Sequence, residues 1–309
     1  MAEFAIGLPN GMLDDLTKMK WWRDLLVYRH EGTPLFVAVR HDYLSVYVCG
    51  RAIFKRIWEE RGAIHASFDG RYFYGPKTEK GDLIFDGENV LAKNGAVIDG
   101  AAETIRNLDL WVKRVKGFKK LVILDDDTSS NDPTDIGEKE CLASRAVRPS
   151  VINLEMALPG FVANEKKIAP RIDMVHLEPG RPGVAVVFTE AKLFSNKGLR
   201  VADDNKDAEV VKQMMRYKDY LEEHSDKICS AYQTACKLLI QIRRAQGVEI
   251  DPLLEMVAKG TPINLITVPR LVVFKTKRDE PKSQKVWEKH RAKIQERGIV
   301  VEEAVCKSE

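Results

Sequence analysis

Nowhere in the 309 residues is there a run approaching the roughly 20 consecutive apolar residues that span a bilayer, so no membrane segment is expected. Met1 to Asn10 lacks a basic segment followed by an apolar core, which predicts no secretory leader. Cysteine is scarce: five residues, odd in number, scattered, with no C-x-x-C pair. That pattern predicts reduced thiols in a cytoplasmic compartment. Neither sign of charge dominates. Lys+Arg 49 against Asp+Glu 46 leaves a formal +3, so binding to a polyanion would need local clustering rather than bulk charge. Internal repeats and low-complexity tracts are also missing. What remains is ordinary globular material, 44% hydrophobic and 31% charged, in a length that suggests two domains.

The N-terminal third reads as a small β-rich α+β domain, residues 1–125. Leu16, Met19, Trp22 and Leu26 recur at helical spacing, and Gly32-Thr33-Pro34 closes that helix. Leu35 to Arg40 and Tyr43 to Cys49 are rich in β-formers, with His41-Asp42 as the turn between them. Ala52 to Trp58 fits a strand or a helix. Ile64 to Phe68 and Tyr72 to Tyr74 read as a second hairpin, Ala101 to Val115 as a helix, and Leu121 to Leu124 as a short buried strand.

The polar tract DDDTSSNDPTDIGEKE then marks a linker, residues 126–140, and a second domain follows at 141–309. Pro149 suits the first turn of a helix with Val151, Leu154 and Leu158 on one face. Arg171 to Leu177 and Val184 to Thr189 read as strands around a Pro/Gly-rich turn. A long helix capped at Asp207, two further helices, a strand in Ile263 to Lys275, a basic helix and a last short strand complete an α/β or α+β domain.

Chemistry concentrates in RIDMVHLEPGRPGVAVVFTEAKLF, Arg171 to Phe194. Side chains alternate along a strand, so Glu190 and Lys192 share a face and Ala191 points away. A hairpin with this turn sets Asp173 near the level of Glu190. Two carboxylates and an ammonium then converge at the end of a buried sheet, where uncompensated charge costs several kcal/mol. A Mg²⁺ or Mn²⁺ ion is the natural compensation for oxygen donors of this kind. Glu155 is expected on the helix before the hairpin. Gln213 and Tyr217, four apart on the following helix, share one face.

Asp173, Glu190-Ala191-Lys192 and the Gln213–Tyr217 pair, with Glu155 upstream, resemble the PD-(D/E)XK nuclease superfamily and its RecB-like branch, D…ExK…QxxxY. The likeness covers Pro149 to Lys275, and Ile172 stands where the motif has proline. It implies a restriction-endonuclease-like core with a mixed central sheet flanked by helices, hydrolysing the phosphodiesters of nucleic acid, DNA above RNA. Asp173, Glu190, the Ala191 carbonyl and Glu155 would hold the metal, directly or through water. Lys192 would position and help deprotonate the attacking water, and Gln213 and Tyr217 would hold the site in place. Lys197 and Arg200, just past the active-site strand, would contact phosphate. A homo-oligomer is compatible with this reading. So is a second function: a protein that keeps the fold without turnover and binds nucleic acid or assembles with partners.

Other patterns carry less. His176 alternates onto the face opposite Asp173 and reads as a packed histidine. Asp125-Asp126-Asp127 is similar to a haloacid-dehalogenase motif but fits a capped linker better. Asp203 to Asp207 fits a helix cap better than a calcium loop, because Ala208 replaces the required glycine. Cys141, Cys229, Cys236 and Cys306 have the count of an iron–sulfur set without its spacing. The basic run from Lys275 to Arg297 reads as a solvated helix face or a phosphate track.

Overall fold

The computed structural model describes residues 4–74, 81–125, 137–158, 161–163, 166–168, 171–201, 206–276 and 281–306. The chain is mixed α+β and divides into two compact units. One comprises Met1–Ala5, Ile136–Lys237 and Asp251–Glu309; the other comprises Ile6–Asp135 and Leu238–Ile250. Among the described residues no helix is long and apolar enough to cross a membrane.

The unit carrying Asp173 is organised by a five-stranded mixed sheet. Its strands lie in the spatial order Val151–Ala157, Arg171–Pro179, Val184–Leu193, Ile263–Lys275, Val301–Val305. The first three pair antiparallel and the last two add in parallel. The central strand Val184–Leu193 is buried on both faces as far as Ala191, which is why its sequence is a continuous apolar run rather than an alternation. The turn before it needs glycine at one position. Gly183 has φ +76°, and a Cβ there would sit 2.2 Å from the Pro262 carbonyl oxygen.

Helices Glu209–Glu223 and Pro281–Glu296 cover one face of this sheet. Val210, Val211 and Met214 from the first, and Trp287 and Ile294 from the second, close a core over Leu271, Val273 and Val301. Trp287 also spends its indole N–H on Glu303 Oε1 at 2.8 Å, so its burial leaves no donor unmet.

Several expectations for this unit are corrected. Pro149 begins no helix: Val151–Ala157 is a strand, so Glu155 stands on a strand. The helix before the hairpin is Glu138–Ala146, which starts inside the tract read as linker. Asp125 ends a helix, and residues 126–136 lie outside the described residues, as do 202–205 of the acidic Asp203 stretch. Helix Glu209–Glu223 is preceded by Ala208 at its cap position rather than by a capping Asp207 side chain.

The cysteine expectation is also overturned. Cys141, on helix Glu138–Ala146, is disulfide-bonded to Cys306, just past the last strand, with Cα atoms 5.1 Å apart. Cys49, Cys229 and Cys236 are not disulfide-bonded. Pairing Cys141 with Cys306 removes two members of the suggested iron–sulfur set. The bond closes a loop of sequence separation 165, and in the chain-entropy account so long a loop gives a disulfide near the upper end of its usual effect, about 4–5 kcal/mol. Reductant is therefore expected to lower the urea midpoint of the wild type and to leave that of the Cys141→Ser/Cys306→Ser chain unchanged. A wild-type midpoint indifferent to reductant would remove this contribution.

The other unit is built on a six-stranded antiparallel sheet whose strands lie side by side in chain order. Phe36–Val39 and Leu44–Val48 form the hairpin expected at His41-Asp42, with Asp42 taking the left-handed conformation at φ 62°. Arg51–Glu60 is a strand. Its Phe54 meets Phe68 and Trp111, and Trp22, in helix Lys20–Val27, is fully buried. Four expectations fail here, one being the single helix Ala101 to Val115, which is broken at Asn107 into Ala101–Arg106 and Leu108–Asp125. The first helix is two, Met12–Lys18 and Lys20–Val27. Ala63–Asp69 pairs onward with Asp82–Phe85, while Arg71–Tyr74 is a helical turn. Leu121–Leu124 is no strand but part of helix Leu108–Asp125.

Candidate active site

Asp173 lies one residue beyond the last ladder pair between its strand and the next, Met174 with Thr189. The backbone N–H of Ala191, which lacks a ladder partner on that side, donates instead to Asp173 Oδ2 at 2.8 Å. This bond fixes the carboxylate beside Glu190. Glu190 is 2% exposed. Its Oε1 accepts from Lys192 Nζ at 2.5 Å and from Gln213 Nε2 at 2.8 Å. Its Oε2 is buried and has no hydrogen-bond partner among the described residues.

The helix Glu209–Glu223 brings the polar support. Gln213 and Tyr217, one turn apart, face the sheet together. The second amide hydrogen of Gln213 goes to Tyr217 Oη at 2.6 Å, and the Tyr217 hydroxyl donates to the Arg171 carbonyl at 2.7 Å. A chain of bonds thus runs from the backbone of the Asp173 strand to the Glu190 carboxylate, and both hydrogens of the amide are used.

Electrostatics make this cluster costly without a further cation. Burial, then the Asp173 charge, push Glu190 up to about 7 against the pull of Lys192 and Gln213. Burial also raises Asp173 above the usual carboxylate range, despite the Ala191 bond and the Lys192 charge. Lys192 itself is drawn down by burial, but the Glu190 charge and hydrogen bond outweigh that and hold it above its ordinary value. Burial, helped by the Glu190 charge, raises the Tyr217 hydroxyl well beyond its normal range, so it stays a neutral donor.

Glu155 is placed differently from the expectation. Pairing of Met156 with Ile172 and Leu154 with Met174 sets it alongside Asp173, at φ 48°. Its carboxylate is held in an ion pair by Lys139, and its charge still raises Asp173. The acidic residue on the first helix is Glu138. Its Oε1 accepts from the Leu193 N–H at 3.1 Å and from Asn196 Nδ2 at 3.2 Å, and its charge acts on both Asp173 and Lys192. Sequence reasoning missed it inside the polar tract. The available signal was Gly137-Glu138-Lys139-Glu140 before Cys141-Leu142, acidic residues in the first turn of a helix.

The two phosphate-contact candidates separate. Lys197 is exposed in the short helical turn Lys197–Leu199. Arg200 is half-buried, donates to the carbonyls of Phe194 and Asn196 at 2.8 and 3.0 Å, and lies over the Phe194 ring. It clips its own turn together. The basic run is also partly spent: Lys275 and Arg291 pair with Glu303, and Arg297 with Asp207.

The donor set suits a hard divalent cation in kind, since a buried carboxylate oxygen is left unmet beside a second carboxylate. In number it is sparse. Among the described residues no group of three or more His, Cys, Asp or Glu is arranged to hold a metal ion. No family model, curated protein or solved structure matches the chain.

Proposed function

We propose that this chain is a Mg²⁺- or Mn²⁺-dependent nuclease of the PD-(D/E)XK type, hydrolysing phosphodiesters of nucleic acid, with DNA the favoured substrate. The observation that carries the reading is Glu190 Oε2, buried without a partner among the described residues, next to Asp173 and within reach of Lys192. A mixed sheet flanked by helices, with the carboxylates on adjacent strands and the Gln213–Tyr217 pair on the next helix, supports a restriction-endonuclease-like core.

In this reading Asp173, Glu190 and the Ala191 carbonyl would hold the ion, with Glu155 and Glu138 as neighbours able to act through water. The bound ion would lower the pKa of the attacking water and neutralise charge developing on phosphate. The chain's own residues do the rest. Ala191 N–H fixes the Asp173 carboxylate, Gln213 turns the Glu190 carboxylate so that Oε2 faces away from its donors, and Tyr217 anchors Gln213 to the strand. Lys192 presents an ammonium at the same level, where it orients the water and meets the phosphate charge.

A second reading, a nuclease-fold protein that binds nucleic acid or partners without turnover, is favoured by the absence of a three-residue metal-ligand group among the described residues. Calorimetric titration with Mn²⁺ or Mg²⁺, followed by digestion of plasmid and linear DNA, separates the two. Saturable metal uptake with cleavage is expected. DNA binding with neither metal uptake nor cleavage would establish the second reading in its place.

A further inference from the structure

The face of the mixed sheet turned away from Asp173 holds a second constellation. Alternation along Arg171–Pro179 projects His176 and Glu178 opposite to Asp173. Together with Arg145, Arg148, Arg270 and Glu302 they line a cavity of about 60 Å³. Two of these guanidiniums are held by carboxylates at two points each. Arg145 meets Glu302 at 2.9 and 2.6 Å, and Arg270 meets Glu178 at 2.5 and 2.7 Å. Arg148 is exposed, and its charge acts on both His176 and Glu302. Among the described residues, three guanidiniums against two carboxylates leave one positive charge unbalanced at this cavity.

The protonation of His176 follows from its neighbours. The Arg270 hydrogen bond, against the pull of burial and helped by His176, holds Glu178 below its ordinary value, so it is ionised and can only accept. His176 Nε2, 3.0 Å from Glu178 Oε1, therefore carries the ring proton. Burial outweighs that hydrogen bond and, with the Arg270 and Arg148 charges, keeps the imidazole neutral at neutral pH. Nδ1 is then a bare acceptor, and it is buried with no partner among the described residues.

A cavity with one excess positive charge, lined by a histidine whose Nδ1 is an orphaned acceptor shut off from solvent, suits an anion that still has a proton to donate. Inorganic phosphate meets that condition, because hydrogenphosphate keeps a P–OH at neutral pH. Sulfate has the charge and no proton. A phosphomonoester, with its second pKa near 6, has largely lost its proton at pH 7.5. We propose that this cavity binds inorganic phosphate, with P–OH donating to His176 Nδ1 and the anionic oxygens meeting Arg148. The site is on the other face of the sheet from Asp173 and Glu190 and does not rest on the nuclease reading.

The test is calorimetric titration of the full chain at pH 7.5 and constant ionic strength. EDTA is included so that no divalent ion draws phosphate to the carboxylates. Saturable one-to-one binding of phosphate is expected, with sulfate and adenosine monophosphate each weaker by about tenfold or more, the scale of one lost charge-assisted hydrogen bond. Arg148→Ala, at an exposed position, should weaken phosphate about tenfold without shifting the melting temperature. His176→Phe should remove the preference for phosphate over sulfate. Equal affinity for phosphate and sulfate, no saturable binding, or an Arg148→Ala chain that binds as the wild type does would each overturn the assignment. The wild-type comparison decides the matter even where His176→Phe fails to fold.

Discussion

Glu190→Gln is expected to abolish DNA cleavage while raising the melting temperature of the metal-free protein. The amide keeps the size and the oxygen that Lys192 and Gln213 use, and it removes a buried charge beside Asp173. The pH dependence follows from the sign of the shift. Glu190 titrates near 7 in the folded chain against an ordinary 4.5, so between those values the folded state binds more protons than the unfolded one. Stability is then fully present below about 4.5 and is lost as pH rises to 7, by an amount on the order of a few kcal/mol. Lowered carboxylates such as Glu178 and Glu302 act below that window, and His176, lowered when folded, acts in the opposite direction within it. The informative quantity is therefore the difference between wild type and Glu190→Gln across pH 4.5 to 7. Added Mg²⁺ should reverse the wild-type loss and leave the variant unmoved. Parallel stability curves, or a variant that cuts at the wild-type rate, would remove Glu190 from the site.

Lys192→Ala separates chemistry from binding. Turnover should fall severely, while affinity for DNA and for metal stays within a few-fold, because one charge is a small part of a multi-phosphate contact. Lys192→Arg should not rescue it, since a planar guanidinium does not replace the compact ammonium at the water. Lys197→Ala is expected to do the reverse: weaker binding, a salt slope flatter by about one phosphate's share, and near-normal turnover at saturation. Arg200→Ala belongs to neither class. Its guanidinium is bound to the Phe194 and Asn196 carbonyls, so its loss should loosen that turn and lower stability. Binding measured in Ca²⁺ and single-turnover rates measured in Mg²⁺ distinguish these outcomes. Poor binding by Lys192→Ala with normal turnover at saturation would make Lys192 a phosphate contact instead.

Where local pattern and tertiary environment agree, the residues announce their structure. The apolar run Val184 to Phe188, the Pro/Gly turn before it and the long helix over Glu209–Glu223 needed no partner to be read. Disagreement came where burial is two-sided. Val151–Ala157 is buried on both faces through Leu154, which erases the period-two alternation and leaves Val151, Leu154 and Leu158 looking helical. Leu121 to Leu124 resembled a strand because four consecutive apolar residues carry no period of their own, while helix Leu108–Asp125 runs through them.

Sequence by itself determined which residue types are close in the chain and therefore share a strand face or a helix turn: Glu190 with Lys192, and Gln213 with Tyr217. Contacts between distant segments were decided only by tertiary structure. The Asp173 carboxylate takes the Ala191 amide because the hairpin register ends one pair earlier. Glu138 approaches Lys192 because helix Glu138–Ala146 begins beside the end of strand Val184–Leu193, where the Leu193 N–H meets its carboxylate, and no local signal reports that distance. Cys141 reaches Cys306 across a separation of 165 residues, and His176 Nδ1 is orphaned because Glu178 and Arg270 fix its tautomer. Spacing constrains neighbours within a turn or two; beyond that, loop-closure entropy is nearly indifferent to which residues meet, and packing chooses.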